Sequence, residues 1–415
     1  MHITKRKIKT LYLMMQNATW KETMALRSLY DMFSESTDFD LTIVDARGPL
    51  IPTIKKREFD LIVLSPTFLC ARYQSELLSY VKKKLDFVQT SKALKVAFPQ
   101  DDYDCSRILD QWMCDWNVDL IYSVCPENWE LLYPSCLSTS KIRLGFTKYL
   151  TNSEVNGERQ LASWWERKID VSYRGSYLTT NFGQLGQIKS RLPQIFLNLV
   201  DDPDQYRFDF HVGSGKMIRG KAWFKFLESS RFVLVSPSGS SLIDPMGDLR
   251  KLVQDPEFRH SSVEHLLEEA ARRKLRWHEV ENSPISPRNI EAVLSGSVQI
   301  AVSGTYSGIF HANDHYIPIA SDLDVVKTLR DELNWLKIQK EAKEALLSVP
   351  EIRAENLINE IYRWFPRSSM SHGRISRSTS IVEQVASVAV SRAFRYASAV
   401  FVALRNRFQK ITGCK

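Results

Sequence analysis

Short apolar runs separated by amphipathic stretches fill the first two-thirds of the chain. Residues 11–15, 41–44, 61–64, 95–98, 120–122 and 142–144 are too short for buried helices and predict strands. Between them, 23–33, 74–87 and 106–116 place apolar residues at helical spacing. Such alternation predicts a doubly wound parallel sheet. A polar stretch at 151–168, holding Trp164 and Trp165, interrupts the pattern, which then restarts. Strands are expected at 169–173, 206–212, 232–235 and 298–302, with helices at 263–276 and 287–295. The reading is two Rossmann-like α/β domains, 1–165 and 166–335, followed by helical pattern to 365 broken at Pro350.

Beyond that point the pattern changes. Residues 366–380 are rich in serine and arginine and are expected to be a disordered linker. In 381–415, Val390, Phe394, Ala397, Phe401, Leu404, Phe408 and Ile411 recur at steps of three and four, with Arg392, Arg395, Arg407 and Lys410 on the other side. A basic amphipathic helix of this kind suits an anionic membrane surface, with a protein partner as the competing occupant.

Charge supports that division. The formal charge is +8, and residues 366–415 carry nine Lys or Arg against Glu383, so 1–365 are neutral overall. The basicity belongs to the tail, and a nucleic-acid partner is not expected of the fold. Six cysteines form no CxxC pair and no zinc spacing, which suits reduced thiols in a cytoplasmic protein, with the tail on the inner face of the membrane. No run of eighteen apolar residues suggests a spanning helix.

Candidate chemistry sits at strand ends, where open α/β sheets bind ligands. After the strand at 95–98 come Asp101, Asp102 and Asp104. Adjacent acids repel, which raises one pKa toward the working range of a general base. An Asp-rich helix start is the alternative. Asp101 and Asp102 are the catalytic candidates, and Asp104 reads as a cap. Arg174 ends the strand at 169–173, and Lys189 opens a helix after Gly183 and Gly186, so both could neutralise a leaving diphosphate. Ser238 and Gly239 lie in a small-residue loop that would let phosphate approach backbone amides. Asp244 and Asp248 flank a turn with too few oxygens for a metal.

The stretch 286–319 is the most informative. Ser286-Pro287 is a helix start, and Gly296 suits its left-handed close. Arg288 stands beside first-turn amides that lack partners, a site for phosphate, and Glu291 one turn on can accept from sugar hydroxyls. A capped surface helix facing water would show the same spacing. The loop after the strand at 298–302 offers Tyr306, Ser307, Gly308, His311 and His315.

Arg288-x-x-Glu291-Ala292, Y-S-G-I-F from Tyr306, H-Y-I-P-I from His315 and S-D-L-D from Ser321 together resemble the donor-side signature of GT-B glycosyltransferases. The closest resemblance is to the bacterial CgeB-like, group 1 family. D-V-S-Y-R-G-S from Asp170, G-Q-L-G-Q-I-K from Gly183 and S-P-S-G-S-S-L-I-D from Ser236 agree, so the resemblance spans roughly residues 90–335. It implies two doubly wound domains facing a cleft, with residues 336–365 crossing back to the first through Trp335, Leu336, Ile361, Tyr362 and Trp364. It further implies a nucleotide-sugar donor whose ribose meets Glu291, and whose diphosphate lies near Arg174, Lys189, Ser238, Gly239, Arg288 and the 306–308 loop, with His315 close by. No metal and no separate cofactor are implied, and the acceptor would be a glycan, a lipid-linked sugar or a protein in cell-surface polysaccharide or glycoconjugate synthesis. Two departures stand out: Gln184 replaces an arginine common among relatives, and Ser283 stands eight before Glu291 where retaining members often have a second glutamate. A sugar-nucleotide epimerase or hydrolase of the same fold, or a non-catalytic binding or scaffold protein, is the rival reading.

Overall fold

Six parallel strands form the N-terminal sheet: β1 (Ile8–Met14), β2 (Phe39–Asp45), β3 (Leu61–Leu64), β4 (Leu94–Ala97), β5 (Leu120–Ser123) and β6 (Lys141–Leu144). Their spatial order is β2-β1-β3-β4-β5-β6. The structure is a computed structural model that describes residues 6–15, 24–157, 161–259, 261–320 and 323–365; the linker and basic helix expected at 366–415 lie outside the described residues. β3 and β5 are buried at every position, as parallel strands covered on both faces must be.

The C-terminal sheet repeats the plan. β7 (Ile169–Gly175), β8 (Phe208–Val212), β9 (Ser230–Val235), β12 (Val298–Ala301) and β13 (Ile317–Pro318) lie in the order β13-β12-β9-β7-β8, all parallel. Pro318 is tolerated because β13 is an edge strand that needs no donor on its outer side. In both sheets the order reverses beside the first strand, and the crevice at such a reversal is where ligands bind. In the second domain this point lies between the ends of β7 and β9. The two doubly wound domains face each other across a cleft lined from both.

Between β9 and β12 a short antiparallel pair, β10 (Leu242–Ile243) with β11 (His278–Glu279), frames a helical lobe. Its own small core holds Leu249, Leu252, Phe258 and Leu266. The lobe docks on the first domain: Asp244 N donates to Tyr103 O at 2.8 Å, Arg107 N to Pro245 O at 3.0 Å, and Arg250 Nε to Asp104 at 2.7 Å. Asp104 is therefore an interdomain tie. Asp244 accepts from the amides of Asp248 and Arg250, yet burial still pushes its carboxyl up to about 6.

Helix Glu332–Ser348 begins in the second domain's core and ends in the first's. Trp335 stacks on Trp164 with ring centroids 4.8 Å apart, whereas Leu346 joins a cluster with Tyr12, Phe33 and Phe98. Helix Ala354–Tyr362 completes the crossing, with Ile361 buried there and Tyr362 stacked on Phe39. The expected anchors thus divide. Ile361 and Tyr362 pack on the first domain, Trp335 belongs to the second, and Leu336 and Trp364 are exposed. The cause is helical phase: Trp335 and Ile338 share the inward face, which turns Leu336 out.

Candidate functional site

A cleft of about 530 Å³ opens at the ends of β7, β8 and β9. Gln100 and Thr147 from the first domain contribute to its wall, and the remaining lining comes from the second. Of the sequence candidates, Arg174, Lys189, Ser238, Arg288 and Glu291 line this one space.

Helix Pro287–Leu294 starts as its sequence requires. Ser286 Oγ accepts from Asn289 N at 3.3 Å while Asn289 Oδ1 accepts from Ser286 N at 2.9 Å, and Gly296 takes φ +67° beyond its end. The Arg288 amide, in the first turn, has no acceptor within the helix. Its guanidinium stacks 5.0 Å from the Tyr173 ring centroid and donates to the carbonyl of Arg174. Glu291 is not a surface residue: only 6% of it is exposed. Trp223 Nε1 donates to Glu291 Oε2 at 2.7 Å, and Oε1 has no donor among the described residues. Burial raises the Glu291 pKa, with Trp223, Lys148 and Arg288 opposing in that order.

Lys189 lies well inside the helix Gly183–Leu197, a correction to the expected start at 189. Gly183 opens that helix at φ +65°, where a β-carbon would stand 2.3 Å from Ser241 Oγ, so only glycine fits. Lys189 Nζ donates to Gly239 O at 2.6 Å. Burial brings its pKa down to about 7, Asp101 opposing and Arg288 adding to the fall. Asp101, an exposed residue at φ +52° on the first domain, acts on Lys189 through its charge but does not itself line the cleft; its Oδ1 accepts from Tyr103 OH at 2.7 Å.

Other candidates fall elsewhere. Asp102 is fully buried in the first domain, accepting from Ser123 Oγ and Tyr133 OH, each at 2.6 Å. It is a packing tie, because its neighbour's left-handed backbone sends Asp101 outward and Asp102 inward. Tyr306 is also buried, donating to Val302 O and packing edge-on against Tyr316 at 5.2 Å. Ser307 is spent on the loop itself: its N donates to Ser283 O at 2.7 Å and its Oγ accepts from Ile285 N at 3.0 Å. Gly308 continues that left-handed turn at φ +75°. His315 Nδ1 accepts from His311 N at 2.9 Å, on a loop that does not line the cleft. Arg174 lines it, but its guanidinium is held by Asp209 at 2.8 and 2.9 Å and lies 4.2 Å from the centroid of Phe226. Ser238 N is likewise committed, to Pro284 O at 2.8 Å, and Gly239 serves through its carbonyl at φ +77°.

The solved structures to which the chain is similar include the following three. Anabaena HepE in complex with UDP and glucose is 11% identical over 86% of this chain and 99% of that one, with a TM-score of 0.45. The T4 phage β-glucosyltransferase is 12% identical over 86% and 98%, at 0.46. An α-glucosyltransferase in complex with UDP and a 13-mer DNA is 9% identical over 86% and 99%, at 0.48. No protein-family model and no curated protein matches the sequence. At such identities these likenesses assign no residue, and the cleft's own atoms must do so.

Sequence reasoning missed Trp223, Lys148, Lys216 and Arg219. Lys148 is buried against Glu154 at 2.8 Å and acts on Glu291 through charge alone. Trp223 sits next to the core residue Phe224 with nothing in the pattern to separate them. The glycines of 213–220, directly after β8, were the legible signal for the loop that carries Lys216 and Arg219. Among the described residues no group of three or more His, Cys, Asp or Glu side chains is placed to hold a metal ion, and no helix is long and apolar enough to cross a membrane.

Proposed function

We propose that this protein is a glycosyltransferase of the CgeB-like, group 1 type that moves a sugar from a nucleotide donor to a glycan, lipid-linked or protein acceptor. The observation that carries this reading is Glu291: a buried carboxylate with one free oxygen, one helical turn from Arg288, in a cleft at the topological reversal of the second sheet. A buried acid with an unused acceptor asks for hydroxyl donors, and a ribose supplies a vicinal pair.

In this reading Glu291 holds the ribose, while Arg288, its first-turn amide and Lys189 hold the diphosphate. As the anomeric carbon's bond to the phosphate oxygen breaks, the electron pair leaves with the nucleoside diphosphate, and these cations meet the growing charge. The acceptor oxygen forms the new bond to that carbon, and its proton passes to Asp101. No metal is required by this arrangement. Calorimetric titration with UDP, GDP, ADP and dTDP tests the donor half, and binding by none of them would sink it. Release of free sugar with no acceptor present would instead favour a hydrolase.

Asp101→Asn is expected to lower kcat by roughly 10²-fold or more with a much smaller change in nucleotide Kd, since it removes a proton acceptor and, on the donor side, only a charge that Lys189 feels. Asp102→Asn is expected to behave in the opposite way, lowering stability by about 1–3 kcal/mol before any effect on turnover, because its amide N–H groups would be buried where Asp102 Oδ1 has no partner. Steady-state kinetics with thermal melts separate the two; equal kinetic losses would reject the division.

The tail is proposed to place the enzyme on an anionic membrane surface at the cytoplasmic face. Removing residues 381–415 is expected to abolish sedimentation with phosphatidylserine vesicles. Unchanged sedimentation would reject it.

A further inference from the structure

Two cations on the cleft wall remain once the diphosphate has been matched. The segment from β8 to helix Lys221–Glu228 reads Gly-Ser-Gly-Lys-Met-Ile-Arg-Gly, and it lines the cleft through Lys216 and Arg219 among others. Gly213 at φ +114° and Gly220 at φ +62° turn the chain in ways other residues rarely allow. The loop is anchored at both ends: Lys216 N donates to His211 Nε2 at 3.2 Å, and just beyond Gly220 stands Trp223, the partner of Glu291. Its two cations thereby line the same cleft as the ribose acid.

Neither Lys216 nor Arg219 has an anionic partner among the described residues; the Arg219 guanidinium donates to Met217 Sδ, at 4.0 Å. The other cleft cations are matched differently. Arg174 is neutralised by Asp209, and Lys189 donates to the carbonyl of Gly239. One charge per phosphate is met by Arg288 and Lys189, leaving Lys216 and Arg219 without a counter-charge in the occupied cleft. An exposed cation in water needs none, but ligand-filled clefts exclude water and make a missing partner costly. Arginine's fork fits a carboxylate or phosphate in two-point contact, and lysine adds a point charge.

Resting on the donor reading above, we infer that the substrate brings a further anionic group, carboxylate or phosphate, to Lys216 and Arg219, on either the transferred sugar or the acceptor. Calorimetry compares the wild type with a Lys216→Ala/Arg219→Ala variant on three probes built on whichever of UDP, GDP, ADP and dTDP binds tightest: the diphosphate itself, its neutral hexose ester and its hexuronate ester. A fourth probe, a glycerol-phosphate oligomer, is added to protein saturated with the diphosphate. The expected result is a preference of about tenfold for the uronate over the neutral sugar, or binding of the oligomer, lost in the variant while its diphosphate affinity holds within about threefold. The uronate arm would place the anion on the sugar, and the oligomer arm on the acceptor. Normal diphosphate binding with no preference in either arm overturns this inference alone. A diphosphate affinity that falls along with the rest assigns the two cations to the diphosphate and overturns it too. Failure of every nucleotide to bind the wild type overturns the donor reading and this inference together.

Discussion

Glu291→Gln is expected to raise the Kd for nucleoside diphosphates roughly 30- to 100-fold while leaving the empty protein at least as stable at neutral pH. The two halves have one cause. A carboxylate buried to 6% exposure, with a single hydrogen-bond donor, loses more hydration than it regains until a ligand arrives. Glutamine still accepts from Trp223 but cannot offer charge to a pair of hydroxyls. The pH dependence follows from the raised pKa. Ionising Glu291 in the folded state costs stability, a cost absent below its ordinary value of 4.5 and growing as pH rises through the raised one. The variant's gain in melting temperature should therefore appear at pH 7.5 and vanish at pH 4. Titration calorimetry and melts at both pH values check this, and an unchanged nucleotide affinity would remove Glu291 from the ribose.

Lys189 supplies the second large effect. With a pKa brought down to about 7, much of this side chain is uncharged in the empty cleft at neutral pH. A diphosphate beside it restores the proton, so binding at pH 7.5 is expected to take up roughly three-quarters of a proton. Affinity should accordingly fall as pH rises above 7. Titrations in buffers of different ionisation enthalpy measure the uptake directly. Lys189→Met should abolish it and weaken binding by roughly tenfold or more. In the absence of ligand the same variant should gain stability below pH 7. There the wild-type lysine carries a buried charge, a penalty relieved as pH climbs from the folded pKa toward the unfolded value of 10.5. No proton uptake by the wild type would place the diphosphate away from Lys189.

Strands and helices were legible because parallel strands buried on both faces are short, apolar and separated by helical spacing. Glu291 and Arg288 could be read together because one turn of helix fixes their relation, whatever the rest of the chain does. What failed to show was the destination of side chains that meet partners far along the chain. Asp101 and Asp102 are adjacent and alike, and a left-handed backbone at the first separates an exposed acid from a core one. Arg174 looked free until Asp209, on the neighbouring strand, took its guanidinium. Tyr306 stood in a polar loop, yet its ring fills the core beside Tyr316. Trp335 and Tyr362 shared one helical pattern but serve different domains.

The crossing helices also bear on the order of assembly. The cluster that covers Ile8, Tyr12 and Phe33 is closed by Leu346, Ile352, Leu357 and Ile361, so the first domain is finished by nearly the last described residues. A ribosome releases the N-terminal sheet long before it makes the residues that cover that face. During synthesis the second domain must emerge while the first still shows an apolar surface to solvent, an interval in which a nascent chain is most exposed to aggregation and most in need of a chaperone.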